Sequence, residues 1–359
     1  MRRRTLLVVL PLARAGCPKS EPPPPPPPPA PAAPKVESVE IEPALLLAFK
    51  ALPDKFEATK NPSTEAKVNL GRQLYFETRL SKNQDLACES CHHLAAYGVD
   101  GQKTSPGHKK QLGNRNSPTV YNAAGHFAQF WDGRAADVEE QAKGPVTNPV
   151  EMAMPSEKRV VEVLRSIPGY VEAFKQAFPG EKDPISMDRM AMAIAAFERQ
   201  LVTPSRFDKF LGGDKNALTN DEKRGLKKFV EVGCMSCHMG VNVGGGMYQK
   251  LGLVVPYPDQ KDAGRFEVTK QEADRMFFRV PTLRNVDKTA PYFHDGSVAD
   301  LSQAVKLMAR HQLGKEVSDD DTQLIVAFLR SLTGELPKAL IEKPALPASG
   351  PKTPKPDPT

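Results

Sequence analysis

The spacing of apolar residues through the middle of the chain predicts helices rather than strands. After Ser63, which can act as an N-cap, four residues fall on one broad helical face: Val68, Leu70, Leu74 and Tyr75. Four later segments show the same spacing behind a start signal: Val160 to Leu164 after Ser156, Met187 to Phe197 after Asp183-Pro184, Leu226 to Phe229 after the capping box Thr219/Glu222, and Leu324 to Leu332 after Ser318, with Gly334 as its end. The predicted fold is therefore mainly α.

The two ends of the chain differ in composition from the middle. Many of the 35 prolines lie at these ends, including the uninterrupted run from Pro22 to Pro29. Such a run adopts polyproline II and forms a stiff spacer, so residues 18–42 are predicted to be a linker. Residues 338–359 are also rich in proline and lysine, which predicts a disordered tail.

Residues 1–17 have the pattern of an export signal. Three arginines, Arg2 to Arg4, precede a short apolar run from Leu6 to Leu12. The following Ala15-Gly16-Cys17 resembles a bacterial lipoprotein cleavage site, although Arg14 stands where leucine is usual. We expect a periplasmic protein, lipid-anchored through Cys17 unless that cysteine is an incidental residue of a secreted leader. No stretch approaches the roughly 20 apolar residues of a membrane-spanning helix.

The net charge does not indicate a nucleic-acid-binding protein. The formal charge is +6, but four of the arginines lie in the predicted leader, so export would remove much of the excess. No nucleic-acid partner is expected.

Two five-residue motifs account for four of the five cysteines. Cys88-Glu89-Ser90-Cys91-His92 and Cys234-Met235-Ser236-Cys237-His238 both read C-x-x-C-H, the attachment signature of c-type haem. The two thiols add to the haem vinyl groups and the histidine ligates the iron. A zinc site would need a fourth ligand, and a dithiol redox site would need a βαβ context that the pattern lacks. The sequence predicts two covalent haems.

The regions around the two motifs repeat each other. Pro118-Thr119-x-x-Asn122 returns as Pro281-Thr282-x-x-Asn285, and Trp131-Asp132-Gly133 returns as His294-Asp295-Gly296 at the same offset of thirteen residues. This predicts two tandem cytochrome c-like haem domains, residues 43–203 and residues 204–337.

The residue opposite each proximal histidine determines what the haem can do. In the second half, Met308 lies fourteen residues after His294 and is the candidate sixth ligand, with His294 and His311 as rivals. His/Met ligation suits electron transfer. A core role for Met308 on an amphipathic helix is the alternative.

In the first half, the position equivalent to Met308 is Pro145, which cannot bind iron. This haem needs another ligand or keeps an open position for a small molecule. His108 is the preferred candidate for a movable ligand because glycine and proline surround it; Met152 and Met154 rank below it. Glu151 and Gln141 flank Pro145, and a carboxylate there could move a proton between the oxygens of a peroxide. Judged without its neighbours in the sequence, Glu151 could equally be a solvated surface acid.

From about Pro43 to about Pro337 the chain closely resembles the bacterial dihaem cytochrome c peroxidases. The matching segments include Leu80-Ser81, Gly107-His108, Arg115 to Thr119, Gln129 to Arg134, Glu140 to Pro145, Asn148 to Met152, Pro281 to Asn285 and Ala290 to Gly296.

The resemblance implies a role for each matching residue. His92 would ligate the low-potential peroxidatic haem, with His108 as its removable distal ligand and Glu151, assisted by Gln141, as the acid/base. His238 and Met308 would ligate the high-potential haem, and Trp131 would lie on the electron route. Calcium would bind Asn116 and the backbone carbonyls of Thr289 and Pro291.

The function implied is reduction of hydrogen peroxide to water by electrons from a small donor, a cytochrome c or a cupredoxin, in a homodimeric periplasmic enzyme. Two rivals differ in chemistry. A dihaem maturase of the type that processes methylamine dehydrogenase would, by the same resemblance, have tyrosine in place of Met308. A pure electron carrier would have no use for Glu151.

Overall fold

The computed structural model describes residues 6–10, 38–258 and 261–359. Its contacts divide the chain into two units, Met1–Ser38 and Val39–Thr359. Of the first unit, only Leu6 to Leu10 and Ser38 are described, so the predictions about Cys17 and the Pro22–Pro29 run fall outside the described residues. No described helix has the length and apolar composition needed to cross a membrane.

The second unit is built mainly from helices, as predicted. They are α1 (Pro43–Leu46), α2 (Glu65–Tyr75), α3 (Cys88–Cys91), α4 (Val138–Thr147), α5 (Glu157–Arg165), α6 (Pro168–Ala177), α7 (Met187–Glu198), α8 (Arg206–Leu211), α9 (Asn220–Val232), α10 (Phe266–Thr269), α11 (Leu301–Leu313), α12 (Asp319–Ser331) and α13 (Lys338–Ile341). Two short antiparallel strands, β1 (Tyr248–Lys250) and β2 (Phe277–Arg279), pair with Tyr248 opposite Arg279.

Most of the predicted helix starts are confirmed. Side chains of Ser156, Thr219 and Ser318 accept the expected backbone hydrogen bonds, and Thr219 forms its capping box with Glu222. Two starts differ. Thr64 rather than Ser63 caps α2, and Ser186 caps α7, two residues beyond Asp183-Pro184. In each case the N-cap is the residue whose side-chain oxygen accepts a hydrogen bond from the third backbone N–H of the helix.

The same helix crossing occurs in both halves. Gly71 of α2 lies so close to α7 that an added Cβ would come within 1.9 Å of the Ala193 carbonyl oxygen. In the same way, a Cβ added at Gly225 of α9 would come within 1.9 Å of the Leu324 carbonyl oxygen of α12. Only glycine permits backbones this close. The repeat seen in the sequence is therefore also a repeat in packing.

The two halves meet at a shared hydroxyl group. Asn122 and Asn285, the last residues of the repeated Pro-Thr-x-x-Asn motif, both donate from Nδ2 to Thr203 Oγ1 at 2.9 Å. Both asparagines have left-handed backbones, with φ of 59° and 62°. Since residues 39–359 form one compact unit, a division at residues 203/204 stays a prediction.

The predicted disordered tail is the clearest difference between expectation and structure. Residues 344–359 lie along the first half, where Arg79 donates to the Pro347 carbonyl at 2.8 Å and Gln84 donates to the Pro354 carbonyl at 2.8 Å. Each proline offers a carbonyl acceptor but has no N–H donor of its own. Side-chain donors of the first half satisfy these carbonyls, and composition alone could not show that.

Candidate active site

The first C-x-x-C-H motif places His92 in a half-buried position at the end of α3. Its Nδ1 lies 3.3 Å from the Gly98 carbonyl oxygen. Burial lowers the pKa of His92, with backbone hydrogen bonding to Gly98 opposing the shift. A neutral imidazole that donates from Nδ1 has its lone pair on Nε2, the form that ligates a metal.

The second motif repeats this arrangement. His238 Nδ1 lies 3.3 Å from the Val243 carbonyl oxygen, and burial lowers the pKa of His238 to about 4. Backbone groups of Pro118 and Pro281, equivalent positions of the repeat, oppose the fall in pKa of His92 and His238 respectively. The two proximal histidines are thus held by the same local structure.

The cysteine thiols do not resemble those of a dithiol redox centre. Burial raises the pKa of Cys88 to about 12 and the pKa values of Cys91 and Cys234 to about 11. Reactive thiols have lowered pKa values in electropositive surroundings. The four cysteines of the described residues form no disulfide, and no cluster of three or more His, Cys, Asp or Glu side chains in that part of the chain could hold a metal ion. The raised thiol pKa values do not support the dithiol interpretation.

Each motif opens into its own cavity. Cys88, Cys91 and His92 line a cavity of about 1230 Å³. Cys234, Cys237 and His238 line a second cavity of about 230 Å³. Small-molecule sites usually occupy roughly 300–1,000 Å³, so the first cavity has room for a large cofactor and a small ligand together.

The first cavity contains the predicted acid/base residues. Glu151, Gln141 and Pro145 all line it, with Pro145 inside α4. Asn148 Nδ2 donates to Glu151 Oε1 at 2.9 Å. Burial raises the pKa of Glu151, and Arg134 and Asn148 only partly oppose this. Glu151 is therefore a sheltered carboxylate at the cavity and not a solvated surface acid.

His108 lies beside this cavity without contributing to its wall. Among the described residues, Gly107 lines the cavity and His108 does not. The His108 backbone N–H donates to the Glu151 carbonyl at 2.8 Å, while its buried ring places Nε2 3.3 Å from the Thr359 carbonyl oxygen. Of the lower-ranked ligands, Met152 lines the cavity and Met154 belongs to the hydrophobic core.

The second cavity brings together His238 and Met308, which projects from α11. His294 lines both cavities and stacks on Phe278 at 4.2 Å between ring centroids. His311 is turned away, with Nδ1 3.0 Å from the Val255 carbonyl oxygen, and lines neither cavity among the described residues. Of the three candidates for the sixth ligand, Met308 and His294 remain.

Trp131 forms part of the wall that separates the two cavities, and it lines both. Its Nε1 donates to the Asn116 carbonyl at 2.9 Å, and the Asn116 N–H donates to the His294 carbonyl at 2.7 Å. These bonds fix the indole ring between the two predicted haem sites.

The predicted calcium ligands lie in one region. Asn116, Thr289 and Pro291 all line the second cavity. Asn116 Nδ2 donates to the Gln102 carbonyl at 3.0 Å, an orientation in which the side-chain oxygen is left to accept or ligate. Amide and carbonyl oxygens suit Ca²⁺, which takes about six to eight oxygen ligands, so water would supply the rest. The calcium site stays a prediction.

Two residues at the site were not identified from the sequence. His126 and Arg279 are buried and line both cavities. Neither belongs to a recognisable motif, and only their position between the cavities reveals them. Their unpaired polar atoms, together with the two thiols and the oriented histidine of each C-x-x-C-H motif, fit a covalently bound haem at each motif.

Comparison with known proteins agrees with this geometry. The pattern of the di-haem cytochrome c peroxidase family matches residues 65–216. The cytochrome c551 peroxidase of Pseudomonas aeruginosa is 49% identical over 315 residues, covering 86% of this chain and 90% of its own. The chain belongs to the dihaem cytochrome c peroxidase family. It is accordingly an oxidoreductase of the cytochrome c peroxidase type with two haem cofactors.

Two further relatives are less similar to this chain. The methylamine utilization protein MauG of Methylorubrum extorquens is 34% identical over 299 residues, covering 80% of this chain and 83% of its own. A solved MauG-like protein associated with microbial copper homeostasis superposes with a TM-score of 0.71 at 28% identity, over 82% of this chain and 96% of its own. Relatives of this chain therefore carry different functional names, and the site residues are needed to choose among functions.

Proposed function

We propose that the protein is a periplasmic peroxidase that reduces hydrogen peroxide to two molecules of water, taking two electrons from a small cytochrome c or cupredoxin and two protons from solvent. The proposal rests on the contents of the two cavities. One is lined by both His92 and the sheltered carboxylate Glu151, and the other by His238 and Met308. A haem in the first cavity, bound by His92 alone, would offer an open iron position for peroxide and would pass electrons to it.

Glu151 provides the proton movement in this scheme. Its carboxylate takes a proton from the peroxide oxygen nearer to the haem and gives it to the far oxygen, so that water leaves instead of hydroxide. Gln141, which lines the same cavity, would orient the peroxide by hydrogen bonding. Pro145 cannot bind iron and thereby leaves space on this side.

The second cavity serves electron entry. Ligation by His238 and Met308 would raise the reduction potential of its haem and close it to peroxide. Trp131 lies between the two cavities and would bring their electronic systems close together. Two haems, each able to supply one electron, would match the two electrons that each peroxide molecule requires.

The choice of peroxidase over a MauG-like oxidase rests on Met308, which faces the second cavity where the resemblance implies tyrosine for the maturase. The discriminating experiment follows peroxide consumption by the purified holoprotein with a reduced monohaem cytochrome c or cupredoxin. We expect two donor molecules oxidised per peroxide. Peroxide-dependent oxidation of a protein or small-molecule substrate without donor turnover would favour the oxidase instead.

Export, lipid attachment at Cys17, calcium binding and a homodimer belong to the same proposal. Fractionation of cells that express the full chain, with Cys17→Ala as the matched variant, tests the first two. The Cys17→Ala protein should move from the membrane fraction to the soluble periplasm. The calcium content of the purified protein tests calcium binding, and its molecular mass in solution tests the homodimer.

A further inference from the structure

Arg279 is a buried cation without a described counter-ion. It ends strand β2 and is 2% exposed. Its Nε donates to the Phe130 carbonyl at 3.3 Å, but Nη1 has no hydrogen-bond partner in the described part of the chain. Burial lowers the pKa of Arg279 to about 10, and Tyr248 only weakly opposes this. A buried charge without a partner is costly, which indicates that something else occupies the space beside it.

His126, which lines the same two cavities, also lacks hydrogen-bond partners among the described residues. It is 9% exposed, and neither ring nitrogen has a partner among the described residues. Gly245 packs against it so closely that an added Cβ would lie 2.3 Å from the His126 Cδ2. The ring is therefore held in position although its polar atoms are unsatisfied.

Both residues line both cavities, so their unsatisfied groups lie where two haems would come closest. Other arginines of the first cavity are already neutralised: Arg115 pairs with Asp132 and Asp262, and Arg134 pairs with Asp132. Arginine binds carboxylates in a bidentate manner, and haem carries two carboxylates on its propionate substituents.

We propose that Arg279, with His126 as a second hydrogen-bonding partner, binds haem propionates at the wall between the two cavities. Its positive charge offsets the carboxylates and thereby favours the reduced state of the adjacent haem. This inference rests on the presence of the haems and not on peroxide turnover.

The test is a spectroscopic redox titration of the holoprotein at several pH values, without peroxide or donor. In the Arg279→Met variant, we expect both haems to remain attached, the midpoint potential of at least one to fall, and that potential to become pH-dependent near neutrality because its propionate is no longer held ionised. Arg279→Lys should restore most of the parent behaviour. Arg224→Met removes a surface arginine paired with Asp221 and is the matched control, with no expected change.

If the potentials of Arg279→Met equal those of the parent and the control at every pH, the assignment is wrong. Should the methionine variant not accumulate with two haems, Arg279→Gln, which keeps a neutral donor, replaces it with the same expected fall in potential. Unchanged potentials in Arg279→Gln would overturn the proposal equally. The midpoint potentials can be measured even if the parent protein has no peroxidase activity. The propionate proposal can therefore be disproved independently of the proposed peroxidase function.

A second observation, at the tail, carries an independent inference about His108. The end of the tail is fastened to Lys82: the Asp357 N–H donates to the Lys82 carbonyl at 3.0 Å, and Lys82 Nζ donates to the Thr359 carbonyl at 2.6 Å. The same Thr359 carbonyl oxygen lies 3.3 Å from His108 Nε2. Lys82 also donates its backbone N–H to the Met152 carbonyl at 2.8 Å, beside Glu151.

We infer that residues 354–359 hold His108 outside the first haem cavity and so favour the open iron site; this rests on the proposed function. His108 follows Gly107, which already forms part of the cavity wall, so a rearrangement of this loop would bring the imidazole inside. A tail contact present only in the outward arrangement stabilises that arrangement by its own free energy.

The test is electron paramagnetic resonance of the oxidised protein after deletion of residues 354–359, with Lys82→Ala as a point variant that removes the side-chain part of the anchor and leaves the Lys82 carbonyl in place. We expect the high-spin signal of the first haem to decrease in both and to return when His108→Gly is added to the deletion. Lys355→Ala, an exposed position within the same segment, should match the parent. An unchanged high-spin fraction in the deletion variant would show that the tail does not restrain His108.

Discussion

Asn122 and Asn285 donate hydrogen bonds to one and the same oxygen atom, Thr203 Oγ1, each at 2.9 Å. They are the closing residues of a motif that occurs once in each half of the chain. All three residues are fully buried, so the hydroxyl group joins the halves where water has no access. The two halves thus share a buried polar contact of defined geometry.

Replacement of Thr203 by valine should destabilise the holoprotein. The substitution keeps the shape but removes the only described acceptor of two buried amide groups, and each unsatisfied group costs about 1–3 kcal/mol. We expect the free energy of unfolding, measured by denaturant titration, to fall by about 2–6 kcal/mol, twice the cost of one unsatisfied group. Thr203→Ser retains the hydroxyl and should lose less than half as much. Equal losses in both variants would mean that packing, and not the shared hydrogen bonds, makes this contact important.

The Glu151→Gln variant should bind peroxide but cleave it slowly. A neutral amide cannot relay the proton, and general acid–base groups typically contribute about 10²–10⁴-fold. Stopped-flow mixing with peroxide measures the step directly, and Glu151→Asp should recover part of the rate. Activity within twofold of the parent would exclude Glu151 from the chemistry.

The pH profile of turnover should report the same residue. Glu151 must be ionised to accept a proton, and burial raises its pKa, so activity should decline as pH falls through a value above the ordinary glutamate pKa of about 4.3. This acid limb should be absent from the residual activity of Glu151→Gln. If activity declines at the same acidic pH in the parent and in Glu151→Gln, another group is responsible for the decline.

Met308→Leu should retain both haems and lose donor-driven turnover. Leucine has nearly the volume of methionine, so packing in α11 is preserved while the sulfur ligand is lost. Optical spectra of the reduced and oxidised protein check for the methionine-ligand signature. Met192→Leu, which changes a partly buried methionine against the first-half core, is the control. A persisting signature in Met308→Leu would point to His294 or another residue as the ligand.

Glu77 should contribute to stability above acidic pH. Burial alone would raise its pKa, but hydrogen bonds from Arg79 and Tyr170 outweigh burial and lower it. The contribution is therefore fully present above the unfolded-state pKa of about 4.3 and is lost as pH falls through the lower folded-state pKa. Glu77→Gln should reduce the free energy of unfolding at pH 7 by about 1–3 kcal/mol and flatten its acid-side decline. Glu57→Gln, at an exposed ion pair with Lys55, should do neither.

Much of the candidate site could be predicted from the sequence because its parts are local in the chain. Two cysteines and a histidine within five residues define a haem attachment whatever surrounds them. Helix caps such as Thr219 depend on the next three residues, and the repeat was visible as spacing. The neighbourhood of Glu151, Gln141 and Pro145 followed from their closeness in the chain.

Other features depend on residues far apart in the sequence, and only tertiary structure decided them. His311 was a rival of Met308 for the sixth ligand position, and only the fold shows its ring beside the Val255 carbonyl. The tail, disordered by composition, is ordered because donors more than 250 residues earlier meet its carbonyl groups. Arg279 and His126 carry no local signal, since an unpaired buried charge exists only once folding has removed the solvent around it. Sequence thus determined which chemical groups are present and which are neighbours along the chain. Folding determined which of them face the cavities and which polar atoms are left to bind a cofactor.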